Sequence, residues 1–297
     1  MAEKRVGVLG ATSLVGGCLI PLLLQNGWEV TAFSRQKIDS EFMQTPAAVK
    51  WCSLESLRES QPNSDVDEKI PYWFYLAPIW TLPAYFDFFS KHIVKKIIVL
   101  SSTSIFTKVA SSDTNEIKVA EKLKEGETAL RSWAEKHGVN WVILRPTLIY
   151  GHAQDRNICE IARFIQRFHF FPLLGNANGL RQPVHADDVA AACYAAFLSP
   201  QVANRVYNIS GKELITYREM IERVFYALDK PPILLKIPYW FFCLAIKLLK
   251  PFPQYSNWSI AMVERMGRDL IFDHSEAARD FDFRPRSFRL GKEDIPL

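Results

Sequence analysis

Val6-Gly-Val-Leu-Gly-Ala-Thr-Ser-Leu-Val-Gly-Gly17, then Leu19-Ile-Pro-Leu-Leu-Leu24, then Trp28-Glu-Val-Thr-Ala-Phe-Ser-Arg35, is the stretch that decides the fold. An apolar run ends in a turn of small residues, and a leucine-rich helical pattern begins at once. A second strand-like run, Val30 to Phe33, ends about 18 residues after Gly16, near the spacing expected of a strand–loop–helix–strand unit that binds a dinucleotide. Small residues are needed because a pyrophosphate must lie against backbone N–H groups at a helix N-terminus. Gly10 permits the tight turn and Gly16 a close approach of helix and strand. Leu14 and Val15 bring their N–H groups, and Thr12 and Ser13 add hydroxyls. The usual glycine triplet would place a glycine at position 13, where this chain has Ser13. A glycine-rich turn can be purely steric, but here strand, helix and second strand all fall at the right distances.

At the end of that second strand an acidic residue would hydrogen-bond the adenosine ribose and favour NAD, whereas a basic one accommodates a 2′-phosphate. The chain has Ser34-Arg35, with Lys37 close by. Arginine meets a phosphate with a bidentate fork. The expected cofactor is therefore NADP, with NAD as the alternative.

With 297 residues, 48% of them hydrophobic, the chain has ample length for a core and no signature of disorder. A net charge of +4 without a dense basic tract gives no support to nucleic-acid binding. The five cysteines, Cys18, Cys52, Cys159, Cys193 and Cys243, are scattered without paired spacing. They read as reduced thiols of a cytoplasmic protein, and no metal site is expected. The first strand follows the N-terminus directly, so no signal peptide is expected. The apolar stretch from Tyr239 to Leu249 is too short to span a bilayer and reads as a buried helix or a membrane-surface helix. Expected partners are a small-molecule substrate, no nucleic acid and no integral membrane segment; peripheral membrane contact and a homodimer stay open.

Further strand-like runs begin at Ala48, Tyr72, Lys96 and Asn140, and a long helical pattern covers Glu116 to His137, with Gly138 as its stop. The fold class is α/β, a Rossmann-like doubly wound parallel sheet with a smaller C-terminal substrate lobe. Residues 1–155 form the expected dinucleotide-binding domain, with return segments near 184–210. Residues 156–297 mostly form the lobe, reading as a helix over Arg156 to Phe171, a helix over Asp187 to Leu198, a strand over Val206 to Ser210, and two helical stretches split by Pro231-Pro232.

The order of these motifs resembles the extended or atypical short-chain dehydrogenase/reductases, the NAD-dependent epimerase/dehydratase family. The elements that carry the resemblance are Gly10 to Gly16, Tyr75-Leu-Ala-Pro78, Leu100-Ser-Ser-Thr-Ser-Ile-Phe106, Leu144-Arg-Pro-Thr-Leu-Ile-Tyr-Gly151, Pro183-Val-His-Ala-Asp-Asp-Val-Ala190 and Phe283-Arg-Pro285. It implies that Leu76, Ala77, Pro78 and Ser101 pass along the cofactor and that Pro146 and Thr147 border the nicotinamide. Ser102 takes the place of the catalytic hydroxyl that stabilises a developing alkoxide, the plain alternative being a serine that caps a turn. His185 and Asp188 are expected to fix the lobe junction, and Arg156 and Arg181 are weak candidates for an anionic substrate.

The family's acid–base pair, a Tyr and a Lys four residues apart on the long helix, is missing. Anchored on Glu127, the alignment puts Val119 and Leu123 at those positions, and a slip of one residue gives Lys118 and Lys122. Tyr150, His152 and Asp113 are the candidate substitutes. The resemblance thus implies an NAD(P)-dependent oxidoreductase or epimerase-like enzyme acting on a sugar-nucleotide, polyol or carbonyl substrate. The alternative is a non-catalytic NAD(P)-binding sensor or a structural or assembly protein.

Overall fold

The structure, a computed structural model of the chain, describes residues 4–35, 49–54, 70–238 and 265–296. Lys37 and the apolar stretch 239–249 lie outside the described residues. The strands are β1 (Arg5–Leu9), β2 (Glu29–Ser34), β3 (Val49–Ser53), β4 (Tyr72–Tyr75), β5 (Lys96–Leu100), β6 (Asn140–Pro146), β7 (Ile149–Tyr150), β8 (Phe171–Leu174), β9 (Leu180–Arg181), β10 (Val184–His185), β11 (Arg205–Ile209), β12 (Ile215–Thr216) and β13 (Leu234–Ile237). The helices are α1 (Leu14–Gln25), α2 (Phe86–Lys91), α3 (Ser104–Thr107), α4 (Thr114–His137), α5 (Asn157–Phe168), α6 (Ala186–Leu198), α7 (Tyr217–Ala227) and α8 (Ser275–Phe281).

Successive side chains of a strand point to opposite faces. Val6 and Val8 of β1 join an apolar cluster on one face of the sheet, while Leu9 joins a second cluster on the other. A strand buried on both faces needs consecutive apolar residues, which is why β1, β4, β5 and β6 read as unbroken runs. Seven parallel strands result, in the order β11-β6-β5-β4-β1-β2-β3. The order reverses between β1 and β4, the switch point where open α/β sheets bind ligands. α1 and α6 cover one face with β11's neighbour α8, and α4 covers the other. A third cluster gathers Ile158, Ile161 and Ile165 of α5, Met220, Ile221, Val224 and Phe225 of α7, and Phe171, Phe288 and Ile295.

Two expectations are corrected. The helix from residue 156 stops at Phe168, with His169 left-handed (φ 63°), and residues 171–174 form strand β8. Beyond Pro232 the chain at first forms β13, in parallel pairing with β8. Both segments are short apolar runs whose state is set by the strand they find, not by local propensity.

Lys96 shows how the last turn of a helix is satisfied from outside it. The residue is 9% exposed, and its Nζ donates to the carbonyls of Ala196 (2.8 Å), Phe197 (2.9 Å) and Ser199 (3.0 Å) at the end of α6. Those carbonyls have no partner within the helix, and an ammonium suits the negative end of its dipole. Lys96→Met is expected to lower the unfolding free energy by about 2–3 kcal/mol, the cost of leaving buried acceptors unpaired. The check is the urea midpoint at unchanged slope; a loss below about 0.5 kcal/mol would show that the α6 terminus holds without this contact.

Candidate dinucleotide site

Gly10 turns the chain after β1 with φ at 80°. A Cβ there would stand 2.8 Å from the amide nitrogen of Ala77 and 2.9 Å from the carbonyl carbon of Leu76. Only glycine lets the end of β1 lie this close to the end of β4, where Leu76 N–H donates to Leu9 O at 2.9 Å. A Cβ on Gly16 would meet the carbonyl oxygens of Gly10 and Ala11 at 2.5 Å. Ser13 is the N-cap of α1, and its Oγ accepts the Gly16 N–H at 3.1 Å. Its backbone is extended (φ −74°, ψ 161°), so the serine that replaces the usual glycine is unstrained and holds the helix start in place. Leu14 and Val15 sit in the first turn, where N–H groups have no carbonyl of their own helix to meet. Thr12 is exposed beside them. A cradle too tight for a side chain at positions 10 and 16, with N–H groups at the positive end of a helix, fits a pyrophosphate.

The other expected residues lie at neighbouring strand ends along the same carboxyl edge. Ser34 closes β2 and is 2% exposed, and Arg35 follows it into solvent. Leu76, Ala77 and Pro78 follow β4, Ser101 and Ser102 follow β5, and Pro146 and Thr147 end or follow β6. Thr147 Oγ1 donates to Gln182 O at 2.5 Å, and its N–H donates to Ile209 O at 2.9 Å. Ser102 Oγ accepts the Ser104 N–H at 3.1 Å, a turn cap at the start of α3 that leaves the hydroxyl proton able to donate elsewhere.

The face of α4 turned to the sheet carries no acid–base pair. Leu123 is 3% exposed and Val119 is packed against the same apolar cluster, while Lys118, Lys122 and Lys124 face solvent. One turn further along, Glu127 is buried (2% exposed) and accepts four hydrogen bonds. Arg145 reaches it through Nε (2.8 Å) and Nη2 (2.5 Å), Ser101 through Oγ (2.7 Å) and Arg131 through Nη2 (3.2 Å). Phe106 lies over the Arg145 guanidinium at 4.8 Å. Ser101 thus turns its hydroxyl toward α4. Sequence reasoning used Glu127 only as an alignment anchor and passed over Arg145, although a lone charge within Leu144-Arg145-Pro146 on an otherwise apolar strand was a usable signal.

Of the candidate proton donors, His152 and Asp113 are engaged elsewhere and Tyr150 is buried. Tyr150 is fully buried between His185 (ring centroids 5.0 Å) and Phe288 (4.8 Å), and burial pushes its phenol up to about 12. His152 pairs with Asp187, Nε2 to Oδ1 at 2.8 Å. Asp113 caps α4 by accepting the Asn115 N–H at 2.9 Å. Arg181, 5% exposed, donates to the carbonyls of Leu180, Arg268 and Arg265 and stacks on Tyr217. His185 Nδ1 accepts the Asp187 N–H at 3.2 Å, capping α6. Asp188 receives the Arg286 N–H (2.8 Å) and Nε (2.9 Å).

An open parallel sheet with a glycine cradle at its switch point defines a dinucleotide-fold protein. Residues 85–210 match the model of the NAD dependent epimerase/dehydratase family. The UDP-glucuronic acid 4-epimerase of Bacillus cereus, solved with NAD, superposes with a TM-score of 0.71 at 15% identity, covering 98% of this chain and 95% of its own. UDP-glucose 4-epimerase of Vibrio cholerae is 27% identical over 124 residues, 42% of this chain and 38% of that protein. The mitochondrial NADH dehydrogenase [ubiquinone] 1 alpha subcomplex subunit 9 of Arabidopsis thaliana is 24% identical over 157 residues, 50% of this chain and 39% of that protein. The matched stretches therefore span well under half of these two curated relatives. Among the described residues, no helix is long and apolar enough to cross a membrane.

Proposed function

We propose that the chain binds a nicotinamide dinucleotide, NADP in preference to NAD, and acts as an oxidoreductase or epimerase-like enzyme on a sugar-nucleotide, polyol or carbonyl substrate. The observation that carries this reading is the gathering of Gly10, Gly16 and the ends of β2, β4, β5 and β6 along one carboxyl edge at the switch point. The N–H groups at the start of α1 hold the pyrophosphate. Arg35 reaches the adenosine 2′-phosphate, Leu76 to Pro78 line the nicotinamide-side ribose, and Pro146 and Thr147 border the nicotinamide. When bound, the cofactor supplies or accepts the hydride. Ser102 donates its hydroxyl proton toward the substrate oxygen. The substrate lies between the sheet domain (1–155, with 184–210) and the lobe built from 156 onward.

One observation favours a second reading, a cofactor-binding protein without turnover: Val119 and Leu123 are apolar and packed where the family's Tyr and Lys would stand. The first reading is preferred because Ser102 keeps a hydroxyl at the end of β5.

Purified protein titrated with NADPH and with NADH, followed by nicotinamide fluorescence, is expected to bind NADPH more tightly. Arg35→Ala is expected to weaken NADPH by roughly tenfold, about 1.5 kcal/mol for a charged hydrogen bond, and to leave NADH unchanged. Equal affinities in the unaltered protein would remove the NADP preference, and binding of neither would remove the whole reading.

A further inference from the structure

Three side chains outside the dinucleotide cradle converge from separate elements: Cys18 from the second turn of α1, His152 from the loop after β7, and Asp187 from the first turn of α6. Their thiol sulfur, a ring nitrogen and a carboxylate oxygen all lie within 4.8 Å of one another. We propose that Cys18, His152 and Asp187 form a site for a thiophilic divalent cation, zinc by the softness of the set, with its fourth position open to solvent.

Thiolate, imidazole and carboxylate are the three ligand types zinc takes, and three protein ligands with one free position is a recurrent arrangement. Bond lengths of about 2.0–2.3 Å put tetrahedral ligand atoms roughly 3.3–3.8 Å apart. The observed cluster needs only side-chain adjustments of about an ångström to reach that. His152 is exposed and free to make them, and the cation would take the place of the proton now shared between His152 Nε2 and Asp187 Oδ1.

The groups behind the three side chains orient them as outer partners orient metal ligands. Arg286 Nη1 engages Asp187 Oδ2 at 3.4 Å, which leaves Oδ1 turned to the cluster. The positive charge of Arg286 is itself met by Asp188 at 2.9 Å, so it does not oppose a cation unopposed. Asp294, 4% exposed, accepts the His152 N–H at 3.1 Å and fixes the loop, whose His152 and Ala153 are both left-handed (φ 53° and 51°). Among the described residues no other group of three such ligands comes together. The sequence reading expected no metal because the three positions share no local spacing.

The test is titration of chelator-treated full-length protein with Co2+, then displacement by Zn2+. The expected result is one cobalt per chain, a thiolate-to-cobalt charge-transfer band in the near ultraviolet, and strong visible bands of a four-coordinate ion. Cys18→Ser is expected to abolish the charge-transfer band and to weaken zinc by more than the roughly 10–100-fold that losing an outer partner costs. His152→Ala, at an exposed position, is expected to weaken zinc comparably while leaving the melting temperature of the metal-free protein unchanged. It carries the test alone if Cys18→Ser fails to fold. No thiolate band in the unaltered protein, a band that survives Cys18→Ser, or unchanged affinity in His152→Ala would each overturn the assignment.

Discussion

Glu127→Leu is expected to lower the unfolding free energy by about 3–5 kcal/mol, the range for removing one partner of a buried ion pair. The carboxylate is almost wholly buried, and Arg145, whose side chain is 15% exposed, meets it with two hydrogen bonds. Taking Glu127 away leaves a guanidinium facing Phe106 and the apolar sheet without a counter-charge, and leaves the Ser101 hydroxyl without its acceptor. Arg131, 39% exposed, adds little because water screens it. The cost arises from the orphaned charge, not from the loss of an intrinsically strong pair. Glu127→Leu combined with Arg145→Met is therefore expected to recover most of the stability, since apolar residues can replace a buried pair at little cost. Denaturant unfolding of the two single variants and the double variant checks this; a single-variant loss below about 1 kcal/mol would mean that water reaches the pair.

The second large effect concerns cofactor affinity. Gly10→Ala puts a methyl group against the backbone of Leu76 and Ala77 at a residue held at φ 80°. Gly16→Ala puts one against two carbonyl oxygens at 2.5 Å. None of these contacts is the far end of a flexible side chain, so the loop or α1 itself must move. Left-handed backbone and overpacking each cost about 1–3 kcal/mol. If about 2 kcal/mol of that falls on the bound geometry, NADPH affinity drops roughly 30-fold in either variant. Gly17→Ala, where a Cβ would meet nothing within 4 Å, is the control expected to bind normally. Equal NADPH affinity across all three variants would move the cofactor away from this cradle.

Whatever depended on local pattern was legible in the sequence. β1, β4, β5 and β6 are apolar at consecutive positions because both faces of the sheet are covered. α4 announces itself by its length and by Gly138 at its end, where the chain turns left-handed at φ 65°; that Asp113 caps its start was not read from the sequence. Gly10 and Gly16 were readable because a turn that tight admits little else. The missing Tyr was equally plain, since no choice of alignment supplies one on α4. By contrast, Ser102 could be read as a catalytic hydroxyl or a turn cap, and the cap is a contact made by backbone two residues on.

The sequence by itself determined the class of fold, the tight glycine turn after β1 and the lack of a tyrosine on α4, because each is written within a few turns of chain. Tertiary structure alone decided that residues 171–174 and 234–237 pair as strands, that Lys96 closes the end of α6 across about a hundred residues of chain, and that Arg145 and Glu127 neutralise each other. It also brought Cys18, His152 and Asp187 into one cluster. These are contacts between segments remote in sequence, and their energy depends on burial and on partners that no local spacing encodes.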